Sequence, residues 1–496
     1  MATLYRSTRA DNAELFSASQ AILKGASPDG GLFLPEKLPA LDLNLNELKD
    51  LSYQELALKI LSPFFSDYTK EELTECIAKA YASFSDPLVT PVKKHGDLNY
   101  LELFYGPTIA FKDVALQLLP KLLQVAATKN KADLKSLILT ATSGDTGKAA
   151  MAGFEDVKDT EIIVFYPKDG VSEIQERQMR TQTGKNTHVV GITGNFDDAQ
   201  TNVKKIFDDP KMRQKIATYG YQFSSANSIN IGRLFPQMVY YFFAYGQLVK
   251  QNQITVGQEI NFSVPTGNFG DILAGWYAKK LGLPIKKLLC ASNENNVLTD
   301  FFETGIYDKR REFHITTSPS MDILVSSNLE RLLFYVLNKD GKKTADLMKQ
   351  LQENGHYSLE SDQVLELKKD FFAANASDQT VAKEINDVFS KTGYLLDPHT
   401  AVASNVARQY QAKTGDKTPL VVVSTASPYK FPKAVLEALK QPVPASGMDA
   451  LTKLHALCKL PYPQTIKDLF SAPIIHDLTC DPEEMKELVL KIIEQN

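Results

Sequence analysis

The chain lacks the charge excess and the long apolar runs that mark several classes of protein. Its 496 residues carry 55 Lys and Arg against 59 Asp and Glu, without a long basic block. Nucleic-acid-binding domains need a basic surface to neutralise phosphates, so we expect no nucleic-acid partner. The longest apolar-rich stretch, residues 238–249, is broken by Gly246 and Gln247 and is too short to span a bilayer. We therefore expect no membrane partner either.

Cysteine is also scarce, and the cysteines lack the spacing of a metal site. The four cysteines contain no C-x-x-C pair, which argues against a disulfide framework and a zinc cluster. No set of histidines and carboxylates has the spacing of a metal site, so we predict no metal. The first residues contain no apolar segment of the kind found in signal peptides. We expect an ordinary globular protein of the reducing cytoplasm, and 43% hydrophobic content fits two or three domains.

Short β-rich runs alternate with amphipathic stretches through the middle of the chain. This alternation predicts an α/β fold with parallel sheets covered by helices on both faces. Ligands then bind beyond the carboxyl ends of the strands, in the loops that follow them. The predicted strands are residues 136–142, 161–166, 187–192, 259–264, 286–291 and 419–425, and predicted helices include 173–182 and 271–281.

The ends of the chain differ from this pattern. Residues 1–97 contain a turn-rich segment at 27–31 and a helical stretch at 68–84, so we predict a separate N-terminal domain there. Residues 98–440 form the predicted α/β core. The proline-rich start of residues 441–496, followed by a helix at 482–494, predicts a C-terminal appendage packed on the core.

Lys112 is the residue most suggestive of chemistry. It lies between a turn at residues 106–107 and an apolar run that resembles a helix. Beside Ile109, Phe111 and Val114 its amine is partly desolvated, which disfavours the charged form and suits a Schiff base. A helix-surface lysine is the alternative for an isolated Phe-Lys-Asp. The loops described next favour the functional interpretation.

Residues 140–150 close a strand and open a helix. Their glycines and hydroxyl residues expose backbone N–H groups at the helix N-terminus, which suits a carboxylate or a phosphate. The spacing of a nucleotide P-loop is not met, because Thr142 stands at the first glycine position and Ala149 at the Ser/Thr position. A tight turn capped by Ser143 or Asp145 explains the segment equally well.

Residues 264–275 form a second strand-to-helix loop. Gly267 and Gly270 let the backbone approach a phosphate, and the following helix offers free N–H groups. The absence of G-x-G-x-x-G argues against a dinucleotide and favours a small phosphorylated cofactor. A phosphate loop, a Schiff-base lysine and a carboxylate-binding turn together are what pyridoxal phosphate chemistry requires.

Several segments closely resemble the threonine synthase family, in the longer form found in many bacteria and fungi. They are residues 106–113, 142–147, 227–233, 265–271, 318–322 and 424–427, with the N-terminal segments 5–9 and 29–35. The lysine and the glycine loop are shared with other fold-type II pyridoxal phosphate enzymes, whereas the N-terminal segments are not. The resemblance implies that fold: twisted parallel sheets flanked by helices in two lobes, with the extra N-terminal domain and C-terminal appendage.

The resemblance also implies site residues. The cofactor, pyridoxal 5′-phosphate, would be bound by Lys112, Gly267, Asn268, Phe269, Gly270, Asp271 and Thr425. Thr425 would meet the pyridine nitrogen; Ser424 is the alternative, and strand alternation allows only one of them to do so. The substrate carboxylate would meet Thr142, Ser143, Asp145 and Thr146. An acidic Asp145 would repel the cofactor phenolate unless it is protonated or turned aside, so its role stays open.

For the substrate phosphate the resemblance favours Arg233, assisted by Asn227 and Ser228. A guanidinium pairs with phosphate through two parallel hydrogen bonds, although a helix-surface arginine is the alternative. His399 follows a probable helix start at residues 397–398, and we do not predict it to be catalytic. Residues 326–331 could contact the substrate, although a capped helix start explains them more simply.

The implied reaction converts O-phospho-L-homoserine and water into L-threonine and phosphate, with Lys112 as the catalytic residue that moves protons at Cα and Cβ. Two alternatives remain open. One is a related lyase that eliminates phosphate and releases 2-oxobutyrate. The other is a homologue that binds pyridoxal phosphate without turnover. We expect a monomer or a weak homo-oligomer.

Overall fold

The computed structural model describes residues 2–11, 14–142 and 144–495. Ser143, a predicted substrate-binding residue, lies outside the described residues. The described part is an α/β structure built on two large sheets, one of six strands and one of five. Within these residues, no helix combines the length and the apolar character needed to cross a membrane.

The N-terminal part contains a small antiparallel sheet and three helices. Its elements are β1 (Tyr5–Ser7), α1 (Ala18–Lys24), β2 (Phe33–Pro35), α2 (Tyr53–Phe64) and α3 (Lys70–Tyr81). Each helix begins with a capping box formed by a Ser or Thr and the Gln or Glu three residues later. Tyr53 packs edge-on against Phe243, and Phe64 contacts Phe235. This part therefore shares one hydrophobic core with the α/β region.

The next segment builds most of the five-stranded sheet. Its elements are β3 (Val92–His95), β4 (Leu98–Glu102), α4 (Lys112–Leu116), α5 (Leu119–Lys129), β5 (Lys135–Ala141), α6 (Asp145–Phe154), β6 (Thr160–Pro167), α7 (Glu173–Arg180), β7 (Thr187–Ile192), α8 (Phe196–Asp208), α9 (Pro210–Thr218) and β8 (Tyr221–Ser224). Strands β7, β6, β5 and β8 lie side by side and parallel. Every residue of β6 is buried, as expected for a parallel strand covered on both faces.

The remaining segment completes the six-stranded sheet and the C-terminal part. Its elements are α10 (Ile231–Leu234), α11 (Met238–Lys250), β9 (Ile260–Pro265), α12 (Gly270–Lys280), β10 (Ile285–Ser292), α13 (Val297–Thr304), β11 (Ile306–Asp308), α14 (Leu329–Val336), α15 (Gly341–Asn354), β12 (His356–Ser358), α16 (Ser361–Asp370), β13 (Phe371–Asn375), α17 (Asp378–Thr392), α18 (Pro398–Thr414), β14 (Leu420–Ser424), α19 (Pro432–Ala438), α20 (Gly447–Cys458), α21 (Gln464–Leu469), β15 (Leu478–Cys480) and α22 (Met485–Glu494).

The six-stranded sheet has the order β13-β10-β9-β14-β4-β3. All neighbouring pairs are parallel except the hairpin of β3 and β4, in which Val92 pairs with Leu101. The predicted domain boundary at residues 97–98 falls inside this hairpin. The sheet thus draws its edge strand from the region that the sequence analysis assigned to the N-terminal domain.

The C-terminal part contributes directly to the smaller sheet. Strand β15 pairs in parallel with β7, Leu478 opposite Val190, and covers what would otherwise be an exposed edge. Helix α22 follows and buries Met485, Val489 and Ile493 in the same hydrophobic cluster as the strands of this sheet. The appendage is therefore integrated into the lobe that it covers.

Candidate active site

A cavity of about 1,700 Å³ opens where strands of both sheets end. Its wall includes the end of β5, the end of β9 and the residue after β14, which is where the parallel-sheet rule places a ligand. Within the described residues, all the predicted site residues line it: Lys112, Thr142, Asp145, Thr146, Asn227, Ser228, Arg233, Gly267, Asn268, Phe269, Gly270, Asp271 and Thr425.

Lys112 is the first residue of α4 and is held there by a constrained backbone. Ile109 has a φ of 55°, which is unusual for a β-branched residue and costs about 1–3 kcal/mol. The segment is fixed against the strand end after β14, because Phe111 N–H donates to the carbonyl of Thr425 at 2.7 Å and Ser427 N–H donates to that of Ile109 at 3.0 Å. Lys112 therefore enters the cavity from a rigid support.

The amine of Lys112 is desolvated, in agreement with the sequence prediction. Only 8% of the residue is exposed. Its Nζ donates to Ser320 Oγ at 3.1 Å and lies 3.7 Å from Asp145 Oδ2. Burial lowers the pKa of Lys112 to about 8; Asp145 opposes this change, while the charges of Arg233 and Lys430 add to it. A neutral, nucleophilic amine is therefore accessible near physiological pH.

Asp145 begins α6 and forms the centre of a buried charge cluster. Its carboxylate accepts a hydrogen bond from Gln175 Nε2 at 2.8 Å and pairs with Lys430 Nζ at 3.0 Å. Burial opposes its ionisation, but Lys430 and Lys112 outweigh that effect and hold its pKa well below the usual range. The open question about this acidic residue thus has a physical answer: two lysines offset its charge.

The loop after β9 is shaped to receive an anion. Phe269 is buried and left-handed, with φ 61° and ψ 12°, and its strain directs the chain into the N-terminus of α12. A Cβ on Gly267 would lie 2.8 Å from the carbonyl oxygen of Ser320, so only glycine fits. The first N–H groups of α12 lack intrahelical partners and carry the positive end of the helix dipole.

The side chain of Asp271 faces away from this anion loop. Its Oδ1 accepts hydrogen bonds from the hydroxyls of Tyr240 at 2.6 Å and Tyr241 at 2.7 Å, which anchors α12 to α11. Burial raises its pKa to about 6. Among the predicted phosphate-binding residues, Asp271 therefore offers its backbone N–H and not its carboxylate.

Arg233 lines the same cavity and is only 4% exposed. Its Nη1 donates to the carbonyl of Ala226 at 2.8 Å, whereas its buried Nε has no hydrogen-bond partner in the part of the chain that the structure describes. Burial lowers its pKa to about 10. A buried cation without a carboxylate is costly, so the site is suited to an anionic ligand.

Asn328 and Arg331 were missed by sequence reasoning, which treated residues 326–331 as a capped helix start. Helix α14 begins at Leu329, but Asn328 forms no side-chain cap. Its Nδ2 instead donates to the carbonyl of Asn268 at 3.0 Å and to Ser228 Oγ at 3.1 Å, which joins the loop after β9 to the segment at residues 227–233. Arg331 is fully buried and donates to Asn328 and, at 2.8 Å, to the Phe33 carbonyl of β2.

His399 lies at the start of a capped helix and also at the wall of the cavity. Asp397 caps α18 by accepting from the N–H groups of His399 and Thr400, as predicted. The His399 ring nevertheless lines the cavity. Its Nδ1 lies 2.8 Å from Asp397 Oδ2, and its Nε2 accepts from the N–H of Ser320 at 3.2 Å. The pair thus orients Ser320, whose hydroxyl lies between Lys112 and Asp145.

Comparisons with known proteins show the family to which the chain is similar. Residues 4–81 match a sequence profile described as "Threonine synthase N terminus", and residues 400–489 match one described as "Threonine synthase, C-terminal". The threonine synthase of Saccharomyces cerevisiae is 37% identical over 465 residues, which cover 88% of this chain and 89% of that protein. The chain belongs to the threonine synthase family.

The family includes proteins of different lengths. Threonine synthase-like 1 from Homo sapiens is 42% identical over 437 residues, covering 85% of this chain but only 58% of that protein. The X-ray structure of a PLP-bound threonine synthase from Brucella melitensis superposes with a TM-score of 0.87 at 35% identity, covering 100% of this chain and 99% of that one. The predicted fold-type II architecture is confirmed by this likeness.

Within this threonine synthase framework, Thr425 and Ser424 can be told apart. Thr425 lines the cavity, and its N–H donates to Thr400 Oγ1 at 3.2 Å. The hydroxyl of Ser424 lies 3.2 Å from the same Thr400 oxygen, and among the described residues that line the cavity Ser424 is absent. Strand alternation therefore directs Thr425, and not Ser424, to the cavity.

The turn after β5 gives a first prediction for this family member. Gly144 has a φ of 119°, and a Cβ there would lie 2.5 Å from Cδ of Gln175, the residue that donates to Asp145. Gly144→Ala is expected to destabilise the protein by about 2–5 kcal/mol through backbone strain and this clash. Thermal unfolding measures the loss. Gly282→Ala is the matched control, because Gly282 has a φ of 101° with open space around it. Equal losses in both variants would contradict the clash.

Proposed function

We propose that this chain is a pyridoxal-phosphate-dependent threonine synthase, which converts O-phospho-L-homoserine and water into L-threonine and inorganic phosphate. The observation that carries the proposal is a desolvated amine, Lys112, and an uncompensated buried guanidinium, Arg233, in one cavity. The amine suits a Schiff base and the guanidinium suits a phosphate. Family membership supports the choice, since relatives from yeast and Pseudomonas aeruginosa bear this name.

The residues present fit the cofactor. Lys112 would hold its aldehyde carbon, the N–H groups of residues 267–271 its phosphate, and the Thr425 hydroxyl its ring nitrogen. Two observations support the fit: Gly267 leaves no room for a side chain against Ser320, and Phe269 keeps a strained backbone at the helix entrance. When bound, pyridoxal phosphate supplies an electron sink for carbanion chemistry.

The substrate has a carboxylate at one end and a phosphate at the other, and the cavity offers a matching site for each. The turn at residues 142–146 opens α6 and would receive the carboxylate at the helix N-terminus. Arg233, with Asn227 and Ser228, would hold the phosphate that leaves from Cγ. Asn328 fixes Ser228 relative to the cofactor loop, and would therefore set the distance between the substrate phosphate and the cofactor phosphate.

Lys112 would serve as the base for the reacting carbons. Its Nζ would take the proton from Cα, release it to the bound cofactor, and then take one from Cβ as the bond between Cγ and the phosphate oxygen breaks. Ser320 Oγ and Asp145 would stabilise the ammonium that each transfer creates. Water would then add its oxygen at Cβ, Cα and Cγ would each regain one proton, and the remaining proton would go to the phosphate, which leaves L-threonine and inorganic phosphate.

The deciding experiment incubates the protein, loaded with pyridoxal phosphate, with O-phospho-L-homoserine and quantifies phosphate, threonine and 2-oxobutyrate together. Equal amounts of phosphate and threonine are expected. Phosphate with 2-oxobutyrate would mean that water addition has been lost and that the chain is a lyase. No phosphate release would favour a cofactor-binding homologue without turnover.

We also propose a cytoplasmic location and a monomer or weak homo-oligomer. The four cysteines are unpaired thiols, which fits a reducing compartment. Light scattering after size-exclusion chromatography measures the mass of the particle, and a stable higher oligomer would contradict this part of the proposal.

A further inference from the structure

Lys430 is a buried lysine for which the proposed reaction has no direct use. It ends a short 3-10 turn, Pro428–Lys430, that follows β14, and its exposed fraction is 0%. Its Nζ donates to the Thr108 carbonyl at 3.0 Å and to Gln178 Oε1 at 3.1 Å, and pairs with Asp145 Oδ1 at 3.0 Å. A lysine is rarely buried so completely, and this one has a carboxylate and two further acceptors.

The two lysines approach different oxygens of one carboxylate. Lys430 and Gln175 contact Asp145 Oδ1, whereas Lys112 and Ser320 face Oδ2. The Lys430 contact is the shorter, 3.0 Å against 3.7 Å for Lys112. Since Coulomb attraction falls with distance, the negative charge of Asp145 is compensated mainly by Lys430.

We propose that Lys430 is a positioning residue, which shares the Asp145 carboxylate with Lys112 and so keeps the Lys112 amine available as nucleophile and base. The use made of that amine rests on the proposed function; the sharing of the carboxylate does not. Without Lys430, Asp145 would act as the counter-ion of Lys112 alone. The proton on Lys112 would then be held more tightly, and the neutral fraction of the amine would fall.

Other charged and titratable groups around Lys112 and Lys430 also change the pKa values in this cluster. Arg233 lowers the pKa of Lys112, as Lys430 does. Burial lowers the pKa of Lys148 to about 8 and Lys430 adds to this change, whereas burial raises the pKa of Asp113 to about 6 and Lys430 opposes that change. His399 adds to the groups that favour the ionised form of Asp145. These groups stay in place when Lys430 is changed, so a change in the titration of Lys112 reports on the Lys430 charge.

The test measures the titration of Lys112 in cofactor-free protein. A short pulse of acetic anhydride labels neutral amines, and mass spectrometry gives the labelled fraction of Lys112 from about pH 6 to about pH 10. Lys430→Met is expected to slow labelling of Lys112 at neutral pH by about tenfold, because the neutral fraction falls tenfold for each unit that the pKa rises. Asp145→Asn is expected to speed it. Lys430→Arg should keep the wild-type profile.

Two controls separate positioning from folding. Lys433→Met changes a partly exposed lysine that pairs with Glu173, and should leave the Lys112 profile unchanged. In an Asp145→Asn background, Lys430→Met should have a much smaller effect than in the wild type, since the shared carboxylate is gone. This double variant removes one charge of each sign. If Lys430→Met alone does not fold, a slowing of Lys112 labelling by about tenfold on adding Lys430→Met to Asp145→Asn would still contradict the proposal, because no shared carboxylate is present there.

An unchanged Lys112 profile in folded Lys430→Met, or additive effects in the double variant, would overturn the proposal. A purely structural lysine would lower the melting temperature without moving the labelling profile. Because the labelling uses neither cofactor nor substrate, a protein that failed to form threonine would still answer this question.

Discussion

Lys112→Ala is expected to abolish turnover of O-phospho-L-homoserine and to remove the visible absorbance of lysine-linked pyridoxal phosphate. The variant loses both the group that holds the cofactor and the base that moves protons at Cα and Cβ. Loss of a positioned base alone costs about 10²–10⁴ in rate, and loss of the covalent link adds to it. Absorbance spectra of the dialysed protein and phosphate release over time measure the two effects separately.

Two variants accompany this experiment. Lys112→Arg keeps a positive charge but cannot form the Schiff base, so it is expected to be as inactive as the alanine variant. Lys121→Ala changes a partly buried lysine in α5 and is expected to keep both the absorbance and the turnover. Retention of either signal in Lys112→Ala would refute the assignment of Lys112.

Arg233→Met is expected to raise the KM for O-phospho-L-homoserine by about thirtyfold or more, with little change in affinity for the cofactor. A desolvated charge-assisted pair with phosphate is worth about 2–5 kcal/mol, most of which the variant loses. The same change removes an uncompensated buried cation, so the melting temperature of the ligand-free protein should not fall. Initial rates and thermal unfolding, with and without added phosphate, measure both outcomes.

The matched control is Arg213→Ala, which removes an exposed arginine from the outer wall of the same cavity. Its effect on KM is expected to be small, because exposed charges are screened by water and salt. An unchanged KM in Arg233→Met, or equal effects of the two variants, would place the substrate phosphate elsewhere.

Local sequence patterns predicted six strands of the two large sheets. The six strands expected from apolar, β-rich runs each match an observed strand to within one residue at either end. Lys112 and the two predicted anion loops could be singled out because chemistry-bearing residues there follow one another along the chain, and their described residues line one cavity. The short strand β15 was missed, since two of its three residues are exposed and only its pairing with β7 reveals it.

Residues that act across long sequence separations could not be found in this way. Lys430 meets Asp145 only after the chain has passed through both sheets, and no local pattern around it indicates a buried lysine. Asn328 looked like a helix cap, but its amide joins Asn268 to Ser228. For both residues the function depends on the partner that the fold supplies, and the partner is visible only in three dimensions.

The pairing of β15 with β7 has a consequence for how the protein is made. During synthesis, β5 to β8 emerge from the ribosome more than 250 residues before β15, so the edge of β7 stays open until residues 478–480 have been made. An open edge of a parallel sheet is a template for pairing with other chains. Nascent and C-terminally shortened forms of this protein should therefore need more help from chaperones than the finished chain does.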